Sequence, residues 1–246
     1  MSDATRNPET GRGFPSTRYS LLTEVRSSDA AIRERALDVL VRIYWRPVYK
    51  YLRLKWNLSP EDAEDLTQEF FASALARDVF ASYDSSKARF RTFLRLCVDR
   101  FAANERRAET RLKRGGSVAH VSLDFENAES ELHLAADAAD PDEFFRREWV
   151  RSMFGLAVDE LRRRADAAGK QTQFTIFERY DLADDDKPTY GALAAEFGVP
   201  ATQVTNYLAA MRREFRGLVL ERLREVSASH EEFRAEAREL LGVDPG

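Results

Sequence analysis

The chain has 246 residues, 43% hydrophobic and 33% charged, with a formal net charge of −4. That length holds one large domain or two small ones with real cores. An overall acidic balance argues against a uniformly basic binder, no apolar run approaches the ~20 residues of a bilayer span, and a lone Cys97 forms no internal disulfide. His120, His133 and His230 are scattered without metal-ligand spacing. No glycine-rich phosphate loop is present; Lys113-Arg114-Gly115-Gly116-Ser117 reads as a helix end. No cofactor and no metal are therefore expected. The start of the chain lacks the apolar centre of a secretory signal. With Cys97 on an apolar stripe as a small core residue, this predicts a reducing, cytoplasmic location and no membrane partner. Glycine and proline are sparse and strand-like alternation is rare. The expected architecture is all-α, with two helical domains joined by an acidic linker and a helix-turn-helix in the second.

In chain order, residues 1–17 are polar, with Pro and Gly, and predict disorder. A helix is expected after Thr17. Another starts near Asp29 through Ile32, Leu37, Leu40, Val41 and Tyr44, is bent or restarted by Pro47, and continues to Trp56. The segment Pro60–Phe71 then concentrates carboxylates beside an apolar stripe of Ala63, Leu66, Phe70 and Ala74. Glu61, Glu64, Asp65 and Gln68 share another face, with Asp62 and Glu69 at its margins. Acids at such spacing repel by a few tenths of a kcal/mol per pair. Attraction to the helix N-terminus accounts for Glu61 and Asp62. It accounts less well for Asp65 and Glu69, which suit a basic partner.

From Lys87 to Arg114 the sign reverses. Phe90, Leu94, Cys97, Phe101, Ala108 and Leu112 mark a core stripe of helical period, and Arg100, Asn104, Arg107, Arg111 and Arg114 a second, basic stripe. Such a stripe suits a helix C-terminus or a nucleic-acid backbone. Phe90 and Phe93 lie beside Arg89 and Arg91, a mixture able to stack on and clasp unpaired bases; aromatics at this spacing also simply fill cores. The first domain is placed at 18–114. Residues 115–143 carry eight acids and no Lys or Arg, and read as an extended linker with Val121, Leu123 and Phe125 as anchors. Its acids are also placed to cover the arginine stripe.

The second domain is placed at 144–226. Trp149, Met153, Leu156, Ala157 and Leu161 give one helical stripe and Gln173–Tyr180 another helix. Thr189 is a helix cap, Gly198 a left-handed turn and Pro200 the start of a second helix with Val204 and Leu208 inward. Thr202, Gln203, Thr205 and Asn206 then face outward, where they reach base edges in a major groove, and Arg212, Arg213 and Arg216 suit phosphate. An ordinary helical hairpin is the plainer alternative. Residues 227–246 form an amphipathic extension (Phe233, Ala237, Leu240, Leu241) expected to pack on its own domain.

These modules, in this order, resemble a bacterial sigma-70-type RNA polymerase sigma factor of the small extracytoplasmic-function kind. The resemblance rests on Trp45–Arg53, Asp62–Phe71, Phe90–Leu94 and the Thr189–Leu208 module, and covers roughly residues 19 to 225. It implies a non-enzyme that directs core polymerase to promoters. Asp62, Glu64, Asp65 and Gln68 would dock on the β′ clamp helices. Phe90, Arg91, Phe93, Arg100, Asn104, Arg107 and Arg111 would melt and read the −10 element. Thr202, Gln203, Thr205, Asn206, Arg212 and Arg213 would read the −35 element beside the β flap. The resemblance also implies a linker lying in a basic channel of the polymerase. An anti-sigma factor or other regulator is a further partner class left open. Two positions depart from the usual pattern, Phe93 where Trp is commoner and Arg100 where Asn is frequent, and they bear on −10 preference. A stand-alone helix-turn-helix regulator is the alternative function; it leaves the acidic and basic-aromatic segments unexplained. A carboxylate enzyme built on Asp62, Glu64, Asp65 or Glu69 lacks the histidines such sites add.

Overall fold

The computed structural model describes residues 21–77, 79–109, 123–132, 140–183 and 187–245. Among them are ten α-helices and no strand. The expectations for residues 1–17 and for Arg111 lie outside the described residues.

Helix α1 (Leu21–Glu24) leads into α2 (Ala30–Lys55), which starts where Asp29 accepts from the amides of Ala31 and Ile32. Pro47 neither bends nor restarts α2 enough to interrupt it. A proline there has no N–H for the carbonyl of Ile43, four residues earlier. The orphaned carbonyl is met from outside, because Ser152 Oγ donates to Ile43 O at 2.8 Å. Helix α3 (Pro60–Ala76) begins at a Ser59 cap with Pro60 in its first turn and buries Ala63, Thr67, Phe70, Phe71 and Ala74. Leu75, next to Ala74 on the helix, is exposed. A short 3-10 turn (Val79–Ser82) precedes α4 (Phe90–Glu109).

Within the expected linker, of which residues 115–122 and 133–139 lie outside the described residues, the helix α5 (Phe125–Leu132) lies on α2. Phe125 inserts between Trp45 and Tyr49, with ring centroids 5.2 and 5.0 Å away. Helix α6 (Pro141–Ala167), capped by Asp140, packs along α2 more extensively than any other helix pair. Phe145 meets Tyr51 edge-on at 5.6 Å. Consequently Val48, Tyr49, Lys50, Tyr51 and Leu52 are all buried, although consecutive helical residues point to every side. The Lys50 ammonium is neutralised there by Glu131 of α5 at 2.6 Å and Glu148 of α6 at 2.7 Å. The core thus runs continuously across the expected domain boundary.

After α7 (Gln171–Phe177) and a π-helical turn (Glu178–Leu182) come α8 (Tyr190–Phe197) and α9 (Ala201–Val226). Thr189 caps α8, and Gly198, at φ +64°, takes the left-handed turn that suits glycine. Pro200 stands at the cap of α9, one residue before the helix. Helix α10 (His230–Leu241) is capped by Ser229 and stopped by Gly242. It packs on α9, as expected of the extension, but its acids also reach the beginning of α4.

Candidate functional surfaces

On α3, Asp62 and Asp65 are exposed, and Glu64 and Gln68 are half-buried. The polar contacts of this group stay local. Gln68 Nε2 lies 3.4 Å from Glu64 Oε1, and the Ser59 hydroxyl donates to Asp62 Oδ2 at 2.9 Å. All four side chains therefore present one acidic surface. Beside it runs an open groove of about 680 Å³ between α2 and α3, lined by Leu37, Val41, Phe71, Leu75 and Leu123 with Gln68 on its rim.

On α4, the buried stripe is Phe90, Leu94, Val98 and Ala102, while Cys97 and Phe101 are only partly covered. The helix is rotated slightly from the expected 90/94/97/101 face. Burial pushes the Cys97 thiol above its ordinary value, which suits an inert packing residue. Arg100, Asn104 and Arg107 are exposed on one side of the helix, and Arg107 also makes an interaction within the molecule. The aromatic end is different. Phe90 is 1% exposed, enclosed by Tyr44, Tyr83 and Phe93 with centroids 5.6, 5.2 and 6.0 Å away. Phe93 is half-buried. Arg91 lies over the Trp149 ring at 5.0 Å and pairs with Glu236 of α10. The seven residues expected at the −10 element thus divide: Arg100, Asn104 and Arg107 face solvent, Phe90 and Arg91 are covered, Phe93 is half-covered, and Arg111 is outside the described residues.

At the other end, Val204 and Leu208 anchor α9, and Thr202, Thr205, Asn206 and Arg213 are exposed. Gln203 is half-buried and donates to the Tyr207 hydroxyl. Arg212 is exposed but committed: it binds Asp181 through two 2.8 Å hydrogen bonds and lies over Tyr180 at 5.6 Å. That pairing fixes α9 to the π-helical turn and keeps the guanidinium firmly charged.

Sequence reasoning missed two features. Arg89 was weighed only as a neighbour of Phe90, yet it pairs with Glu236 at 3.0 Å and Glu239 at 2.8 Å. The acids of α5 cover α2 rather than the arginine stripe of α4. Glu129 holds Arg53 and accepts from the Tyr49 hydroxyl at 2.7 Å, and Glu131 holds Arg46 at 3.2 Å. The signal for the second lay in Phe125 and Leu132, spaced seven residues apart on one helical face.

Residues 40–112 match the family model described as Sigma-70 region 2. The matched stretch contains most of α2, all of α3 and α4, and so both the acidic and the basic surface. No curated protein and no solved structure shows a significant match to the chain. Over these residues the chain is similar to sigma-70 region 2, a module of transcription-initiation factors that bind core RNA polymerase and promoter DNA. Among the described residues there is no cluster suited to a metal ion, and no helix is long and apolar enough to cross a membrane.

Proposed function

We propose that the chain is a sigma factor of the extracytoplasmic-function kind, acting in the cytoplasm. It carries core RNA polymerase to specific promoters and helps open the −10 element. The observation that carries this reading is the region 2 match, with Asp62 and Asp65 exposed on one matched helix and Arg100, Asn104 and Arg107 on another. The acidic face of α3 docks on the β′ clamp helices. The exposed side of α4 holds the DNA backbone, and Phe90, Arg91 and Phe93 reach unpaired bases once uncovered. The α8–α9 pair is the helix-turn-helix that reads the −35 element beside the β flap, with Gln203 and Asn206 as base readers. The exposed Asp62 and Asp65 also offer a surface to an anti-sigma factor or other regulator.

Run-off transcription with core polymerase on a genomic promoter library tests this reading. The parent chain should select a defined promoter set. The Asp62→Lys/Asp65→Lys double variant should fold normally and lose core binding, since close charge pairs at interfaces couple by about 1.5–7 kcal/mol. Full co-purification of that variant with core polymerase would remove the docking assignment.

A further inference from the structure

Three glutamates on α10, at positions 232, 236 and 239, converge on the first turn of α4. Glu232 Oε1 accepts from the Phe90 amide at 3.3 Å. Glu236 binds Arg91 and lies 3.0 Å from Arg89. Glu239 pairs with Arg89 at 2.8 Å and with Arg146 of α6 at 3.1 Å. The target is a helix N-terminus flanked by two arginines, a combination that attracts anionic oxygens through amides, dipole and fixed charge. The ligand supplied is a row of carboxylates.

Glu232 Oε2 also caps α10 by accepting from the Ala228 amide at 2.8 Å, whereas the contacts of Glu236 and Glu239 reach Arg89, Arg91 and Arg146 outside the helix. Phe233 and Ala237 already bury the apolar face of α10, and Arg224 lies over the Phe233 ring at 4.7 Å. The acids add desolvation cost. Burial pushes the Glu232 carboxyl above its usual value. Glu236 is 4% exposed, and its Oε2 is buried without a hydrogen-bond partner. A carboxylate buried with an unmet oxygen offsets part of what its ion pair contributes. Such a contact is suited to exchange for a better ligand.

We propose that α10 is an internal substitute for the DNA backbone: Glu232, Glu236 and Glu239 occupy Arg89, Arg91 and the Phe90 amide, and keep the promoter-opening end of α4 closed until DNA displaces them. This rests on the reading that α4 contacts promoter DNA, and it adds Arg89 to the residues that do so. Displacement exchanges three carboxylates for phosphates on the same donors, so the site is blocked in the free chain and available in the initiating complex.

The test uses the full chain and a DNA duplex ending in a single-stranded non-template segment, titrated over a range of salt. Core-polymerase binding is measured on the same preparations. Glu236→Gln/Glu239→Gln keeps the shape and apolar face of α10 while removing two charges. It should bind the DNA about tenfold more tightly, within the usual range of intramolecular coupling. Its salt slope should steepen by about 1.8, the value for two added phosphate contacts. Glu239→Gln alone, at the more exposed position, should give a smaller gain in the same direction and guards against misfolding of the double variant. Adding Arg89→Ala/Arg91→Ala should erase the gain, and the same pair should lower DNA binding less in the parent background, where the glutamates already occupy both arginines. Unaltered affinity and slope in both glutamine variants would overturn the proposal, as would equal loss of binding on arginine removal in the two backgrounds. Failure of the parent to bind core polymerase would instead defeat the sigma-factor reading, and the DNA gain would still decide the role of α10.

Discussion

Two buried contacts between α2 and α6 show how single residues set the arrangement of this protein. Ser152 supplies the hydrogen bond that Pro47 denies to the Ile43 carbonyl. Ser152→Ala should leave that carbonyl unpaired and lower unfolding free energy by about 1–3 kcal/mol. Restoring the helix's own donor with Pro47→Ala in the same chain should recover much of the loss, and urea denaturation of the single and double variants measures the coupling. Lys50 poses the opposite problem, a buried charge with two partners. Its removal in Lys50→Ala leaves Glu148, itself 2% exposed, with Arg151 on one oxygen at 2.6 Å and the other oxygen without its ammonium, and breaking such a buried pair costs about 3–5 kcal/mol. Replacing both groups, as in Lys50→Met/Glu148→Met, should cost clearly less than the single change, because no buried charge is left behind and Arg151, which loses Glu148, is exposed. Equal losses in the two variants would mean that the ion pair itself, and not the cost of a buried carboxylate without its ammonium, carries the stabilisation.

At the scale of the helices, the sequence was most readable where a helix has one buried face and a recognisable end. Ser59 and Pro60 announce α3, Thr189 announces α8, and Gly198 separates α8 from α9. The acidic face of α3 was readable for the same reason, since Ala63, Phe70 and Ala74 fix which side is buried. The legible pattern failed in α2 beyond Tyr44. There α3, α5 and α6 surround the helix, so Lys50 and Tyr51 are as buried as Val48 and no polar face remains to reveal the rotation. It failed again in α5, whose eight residues are too few for a persuasive period and whose acids suggested solvent. The pairing of Arg91 was invisible for a further reason: it depends on α10, more than 140 residues away in sequence, whereas the burial of Phe90 among Tyr44, Tyr83 and Phe93 follows from its place on the apolar stripe. The α8–α9 pair carries its own prediction. Gln203→Ala or Asn206→Ala should cost about 1–3 kcal/mol against the preferred site and relax selection at one −35 position. Selection from a randomised −35 library checks this, and unchanged preference in both variants would exclude α9 as the reader. Gln203 must first give up its bond to Tyr207, so its contribution should be the smaller of the two.

For the whole molecule, the relevant fact is that the acidic surface of α3 and the basic surface of α4 belong to different helices. Asp62 and Asp65 sit on α3, and Arg100 and Arg107 on α4. Their functions should therefore separate by mutation. Arg100→Ala/Arg107→Ala should flatten the salt dependence of promoter binding by about 0.9 per lost phosphate contact and reduce opening of the −10 segment. Core binding should persist. Permanganate reactivity of the melted strand beside a core-binding assay gives both readouts on one sample, and loss of core binding would mean that the two surfaces are one. The net charge of −4 fits this division, since DNA affinity resides in a local face and not in the chain as a whole.

The encasement of α2 has a consequence in time as well as in space. Amide hydrogens in a helix covered on every side exchange with solvent only when its coverings leave or the whole core opens. Those of Val48 to Leu52 should therefore be among the slowest to take up deuterium, and those of α5 and α10 much faster. Engagement of a partner that lifts α6 away would be recorded as sudden loss of protection in the middle of α2, while its ends were still exchanging at their former pace. Deuterium uptake along this one helix thus serves as a clock for the order in which the molecule comes apart to work.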